Sequence, residues 1–175
     1  MSSQEFVTIM RQWRRHLAII CVVGMLFSLP QVAAALDVVV TGFWSRTIDT
    51  GDLVGGAGTD LTSTYESLSD QISIAVSGTA GDADAWRIDV HRVDVSWHGS
   101  FTLSVRRTGT GDADPSTDIT GGTGYQVIAT GDPQIFFYGS DNVAGITIQL
   151  KLDGMSLQIA PSTYMTTVFF TVIDT

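Results

Sequence analysis

The stretch that decides the fold is Ile146–Leu152, ITIQLKL. Ile146, Ile148, Leu150 and Leu152 alternate with Thr147, Gln149 and Lys151. Side chains of an extended backbone point to opposite faces in turn, so this run is a strand with one apolar and one polar face. A helical backbone would scatter the same four apolar residues around its circumference.

The same period returns on both sides of it. Gln71–Ser77 (QISIAVS) alternates Ile72, Ile74 and Val76. Ala85–Trp97 (AWRIDVHRVDVSW) places Trp86, Ile88 and Val90 on one face, then continues with Val93, Val95 and Trp97 after a slip of one residue. That slip predicts a bulge or bend at His91–Arg92. Phe101, Leu103 and Val105 alternate with Thr102, Ser104 and Arg106. Leu36–Trp44, Tyr125–Thr130, Ile135–Gly139, Ser156–Ala160 and Thr166–Ile173 complete eight or nine strands, divided by Gly, Asp and Ser clusters. Only Asp60–Asp70 offers a turn or two of helix, through the spacing of Leu61, Tyr65 and Leu68. The expected fold is all-β: antiparallel sheets with one wet and one dry face, packed as a β-sandwich of immunoglobulin-like or pilin-like type.

The other end of the chain carries an export pattern. In Met10–Ala35, Arg11, Arg14 and Arg15 precede a largely apolar stretch of 13 residues, Leu17–Leu29. Pro30 breaks it, and Ala33, Ala34 and Ala35 supply the small side chains that a signal peptidase needs. The stretch is shorter than the roughly 20 apolar residues of a spanning helix. Residues 1–35 are therefore expected to be a signal peptide cleaved at Ala35–Leu36, with Met1 or Met10 as the start. Arg14 and Arg15 lack the flanking residues of twin-arginine export, and Cys21 follows Ile20, where a lipoprotein site would need a small residue. Residues 36–175 are expected to form a single sandwich domain in the periplasm, outside the cell or at its surface, with no membrane insertion after cleavage.

The mature portion then has 140 residues and no cysteine, which excludes disulfides, thiolate catalysis and cysteine-bound zinc. Six basic residues face seventeen acidic ones, a formal net charge of about −11 that repels nucleic acid and anionic lipid. Every acid except Glu66 is aspartate, a residue of turns rather than helices.

No pattern in the chain specifies a reaction: Gly-x-Ser-x-Gly, His-Glu-x-x-His and a phosphate loop are all missing. Asp112, Asp114 and Asp118 in Thr108–Gly124 could offer oxygens to calcium, but the sixth-position glycine and the closing glutamate of a calcium loop are lacking. The reading preferred for that loop, and for Gly81–Trp86 (GDADAW), is a solvated turn. His91 and His98 stand seven apart, an odd spacing that puts them on opposite faces of a regular strand. Trp44, Trp86 and Trp97 could form a sugar-stacking platform; Trp86 and Trp97 read better as core, with Trp44 the candidate ligand contact. No catalytic, cofactor or metal residue is assigned, and no cofactor is expected. Dispersed carboxylates of a secreted hydrolase are the least favoured reading.

The last strand raises the question of partners. Val168 and Phe170 lie on one face of Thr166–Ile173 and Phe169 and Ile173 on the other, so the strand is expected to be internal rather than a bare edge. Tyr164, in the preceding turn, is placed to lock the corner by bonding back to nearby backbone. The run Leu157–Val168, with Pro161, Ser162, Tyr164, Thr166 and Thr167, resembles the closing hairpin of secreted bacterial surface subunits, the spore coat protein U type and related fimbrial-like domains. The resemblance covers Ile146–Thr175. The chain departs from chaperone–usher pilins in lacking a mature disulfide and a penultimate aromatic residue. It implies an exported, non-catalytic structural or adhesive subunit at a bacterial surface, a fibre or coat component. Partners would be other copies or related subunits, joined by strand pairing in which Leu36–Val40 could take part within or between chains. The alternative is a secreted carbohydrate- or calcium-binding module.

Overall fold

The run ITIQLKL lies in a strand spanning Val143–Asp153, in the middle of a six-stranded sheet. The computed structural model describes residues 35–81, 83–113 and 119–175. The expected signal segment up to residue 34 lies outside the described residues, as do Asp82, Asp114 and Asp118. In chain order the strands are β1 (Asp37–Thr41), β2 (Thr64–Glu66), β3 (Ile72–Ser77), β4 (Ala85–Ser96), β5 (Thr102–Arg107), β6 (Thr120–Gly121), β7 (Gln126–Val127), β8 (Gln134–Ser140), β9 (Val143–Asp153) and β10 (Met165–Asp174). One 3₁₀ turn, Thr50–Asp52, is the only helical element among the described residues.

The strands form two sheets, antiparallel throughout. The first runs β1-β3-β9-β5-β7, and β2 also pairs with β9, at Lys151–Asp153, beyond the stretch that β3 occupies. The second runs β10-β4-β8-β6. Between them lies the core that alternation dictates: Ile72, Ile74 and Val76 of β3, Leu103 and Val105 of β5, and Ile146, Ile148 and Leu150 of β9 face Trp86, Ile88 and Val90 of β4, Phe137 of β8 and Phe170 of β10. The sandwich expected from the period-2 runs is present.

Several elements differ from expectation. His91 and Arg92 pair regularly with Phe169 and Val168; the register of β4 breaks against β8 at Ile88/Asp89, and against β10 so that Val95 has no partner between Asp94 and Ser96. Alternation therefore continues unbroken past Val90. It turns Arg92 inward at the end of the sheet, over the Trp97 ring at 5.1 Å, and leaves Val93 and Val95 exposed. Asp60–Asp70 is extended, not helical, because Tyr65 is buried as a β2 residue opposite Leu152. Ser156–Ala160 is a turn rather than a strand: Asp60 accepts the Leu157 N–H, and the Ile159 N–H returns to Ser156. β10 is not internal. Among the described residues it pairs with β4 alone and forms the edge of its sheet, its inner residues packed on the core and outer Phe169 covered on one side by His91.

Leu36–Val40 falls in and just before β1, which pairs within its own chain, Val38 against Val76 and Val40 against Ile74. The Tyr164 corner also forms: its hydroxyl donates to the Ala160 carbonyl at 2.6 Å and its ring stands edge-on to Phe101 at 5.0 Å. Tyr164→Phe keeps the ring and loses the hydrogen bond, so urea denaturation should show a loss of about 1 kcal/mol. A variant as stable as the parent would remove the corner from the account.

Candidate association surface

Pairing with another polypeptide needs a strand whose outward N–H and C=O groups lack partners. Among the described residues the sandwich has five strands with a free edge: β1, β7 and the three-residue β2 on the first sheet, β10 and β6 on the second. β6 and β7 are two residues long and offer little template. β1 and β10, of five and ten residues, run beside each other on one flank without pairing together. Natural edges are usually guarded by lysine, proline, a bulge or brevity. β10 reads MTTVFFTVID, with no lysine or proline and a single charge, Asp174, at its end. Its alternation of Thr, Val and Phe gives high strand propensity over a length of about 34 Å.

The outward face of the second sheet continues this strip. Phe169 stacks on His91 with ring centroids 5.1 Å apart and planes 12° from parallel. Val93 stands opposite Thr167, and Ile135 and Tyr138 stand opposite Asp89 and Arg87 on the other side of β4. Phe169, Val93, Ile135 and Tyr138 are all 44–51% exposed. The charges among them are matched, with Arg87 Nε donating to Asp89 Oδ1 at 3.0 Å, and at the inward-turned end of β4 Arg92 pairs with Asp94. In a strongly acidic chain, the acids left without an ion pair on this flank, among the described residues, are Asp37 and Asp174, at the ends of β1 and β10, so the middle of β10 can approach another copy with little like-charge repulsion.

Among the described residues, those singled out in the sequence do not converge on a site. Trp86 is fully buried, and Trp97 and Trp44 are partly buried against the core, so the three rings make no platform. Trp44, expected as a ligand contact, is turned inward after Gly42. That glycine sits at φ +107°, and a Cβ there would meet the Gln71 carbonyl oxygen at 2.3 Å. His91 faces outward on β4, whereas His98 lies beyond the strand against Phe101 and Tyr164. Asp112 closes a turn by accepting the Ala144 N–H at 2.6 Å.

Two clusters were missed. Arg107 continues the inward series Phe101, Leu103, Val105 and is buried, its guanidinium donating to the carbonyls of Gly121, Ile119 and Gly109 and lying over the Phe137 ring. Burial pushes its pKa down. On the polar face of the first sheet, Arg106 and Lys151 lie 4.7 and 4.8 Å from the Tyr125 ring centre, while Arg106 donates twice to Gln149, which donates in turn to the Ser67 carbonyl. The sequence marks Gln149 as a wet-face residue, yet it is buried because the segment after β2 folds over it. Burial raises the Tyr125 hydroxyl above its usual value.

Three aspartates hold loops together. The Asp49 backbone N–H and the Arg46 guanidinium hold Asp52 below the ordinary carboxylate value of 3.8. The N–H groups of Leu157 and Leu61 do the same for Asp60, and the Thr64 hydroxyl and Lys151 for Asp153. A folded-state pKa below the unfolded one contributes stability above the unfolded value and loses it as pH falls through the folded value. The urea midpoint is expected to drop as the solution is acidified below about pH 4, and Asp60→Asn to flatten that drop. A midpoint constant down to about pH 2 would contradict this assignment. No family model, curated protein or solved structure matches the chain.

Proposed function

We propose that the chain is an exported, non-catalytic structural subunit of a bacterial surface, a fibre or coat component that acts by associating with like subunits through strand pairing. The observation that carries the reading is β10: among the described residues it is an edge strand of ten residues with no lysine or proline and one charge, Asp174, at its end. Selection against unwanted edge pairing normally breaks such a strand with a charge or proline, so its retention fits a strand that is used. The tyrosine corner ahead of β10, and the resemblance of Leu157–Val168 to the end of surface subunits, support the same reading, although β9 and β10 lie in different sheets and form no hairpin with each other. Because β1 already fills its place beside β3, association of this kind extends an existing edge rather than completing a sheet that lacks a strand.

Immunolabelling of intact producing cells, with fractionation of culture medium and surface material, tests the proposal. Label at the surface or in shed fibres or coat material is expected. Label confined to the cytoplasm, or a chain found only as free monomer in the medium, would refute it.

A further inference from the structure

We infer that the partner of β10 is a second copy of this chain, joined edge to edge by antiparallel β10–β10 pairing about a twofold axis at Phe169, so that the building unit is a closed pair. The inference rests on the association reading above and deepens it by naming the partner and the register.

Self-complementarity carries it. A twofold axis normal to the sheet places residues of the same face opposite each other. Centred on Phe169, it sets Thr167 against Thr171 of the second copy, Met165 against Ile173, and Phe169 against Phe169 on the outward face. On the inward face it sets Val168 against Phe170 and Thr166 against Val172. Every apposition is apolar–apolar, Thr–Thr or Thr–Val, and nearly the whole strand is used. The one charge, Asp174, falls opposite Tyr164, and the two Asp174 side chains end up about 34 Å apart, well beyond the screening length.

The rest of the flank agrees. Phe169 is 44% exposed with one ring face on His91, leaving its other side for its counterpart. β1 lies on the same flank, so both long edges are brought to the same contact. Among the described residues, the far ends of the two sheets carry only the two-residue strands β7 and β6. Edge pairing therefore saturates after one partner, as an isologous contact does, and any larger fibre or coat would be assembled from pairs through other surfaces.

The register gives a charge-swap test. Light scattering and sedimentation of residues 36–175 are expected to give twice the chain mass. Thr167→Lys/Thr171→Lys puts lysine opposite lysine twice per pair and should weaken association by about a hundredfold or more. Thr167→Glu/Thr171→Lys puts a glutamate opposite a lysine at both places and should return the dissociation constant to within about tenfold of the parent. Both threonines are exposed on the outward face, and an unchanged strand signature in circular dichroism separates lost pairing from lost folding. If the lysine pair unfolds, Thr167→Glu/Thr171→Glu provides the same like-charge arrangement. A parent that is monomeric at about 100 μM overturns the inference. So does a like-charge variant that still pairs, or a swapped variant as weak as the like-charge one. A monomeric chain that still labels the cell surface defeats the pair and leaves the surface reading standing; a pair that never reaches the surface does the reverse.

Discussion

Replacing Trp86 with alanine is expected to lower stability by about 3–5 kcal/mol, read as the shift in urea denaturation of residues 36–175. Trp86 is completely buried, meets the edge of Phe137 at a centroid distance of 6.1 Å, and donates its indole N–H to the Asp141 carbonyl at 2.8 Å. That carbonyl sits where the chain leaves β8 in one sheet and enters β9 in the other, so a single side chain fills the core and pins a crossover. Gly139, opposite Trp86 on β8, makes room: a Cβ there would lie 2.3 Å from Trp86 Cη2. Alanine at 86 leaves a cavity beneath Gly139 with nothing to fill it, in a domain whose total stability is of order 5–15 kcal/mol. Loss of less than about 1 kcal/mol would mean that the core is not organised around this ring.

Arg107→Met should destabilise by about 2–4 kcal/mol although methionine is more apolar and fits the volume. The guanidinium reaches Gly121 O at 2.9 and 3.0 Å and Ile119 O and Gly109 O at 3.3 Å, satisfying carbonyls around the described ends of the Asp-rich loop. Removing it leaves those acceptors without that donor, and the Ile119 carbonyl in a buried position. Arg107→Lys should recover only part of the loss, because one ammonium cannot reproduce the planar fork that serves several carbonyls. Denaturation midpoints equal to the parent for both variants would show that the loop is held by other contacts.

The alternating runs were sufficient for the two sheets because burial on one face leaves a signature of period 2 in the residue types. Ile146, Ile148 and Leu150 are buried as that period requires, and so are Ile72, Ile74 and Val76. The same logic fails where an inward position is taken by a polar residue with private partners. Arg92 and Arg107 face inward because carbonyls and aromatic rings receive them, and several of these partners, the Ile128, Ile119 and Gly121 carbonyls and the Phe137 ring, are distant in sequence. Val93 and Val95 therefore face solvent, and the irregularities of β4 fall at Ile88/Asp89 against β8 and around Val95 against β10 rather than at His91–Arg92. Ser156–Ala160 shows the converse: its Leu157 and Ile159 mimic a strand, but Asp60, nearly a hundred residues earlier, captures the backbone and fixes a turn. Asp60–Asp70 has helical spacing, yet pairing with β9 outweighs weak propensity in a segment rich in Ser and Thr. For the association surface, the unguarded composition of Thr166–Ile173 was legible. Its position at an edge was not, since strand order is a property of the whole topology.

Amide hydrogen exchange along Met165–Asp174, followed by NMR at concentrations above and below association, tests the use of this edge most directly. In the dilute chain, the amides directed at β4 should be protected and the alternate ones, directed away from it, should exchange quickly. At high concentration those alternate amides should gain protection while the edges β6 and β7 remain unchanged. Alternate amides that stay fast in an associated state, or protection gained at β6 and β7 instead, would contradict the account.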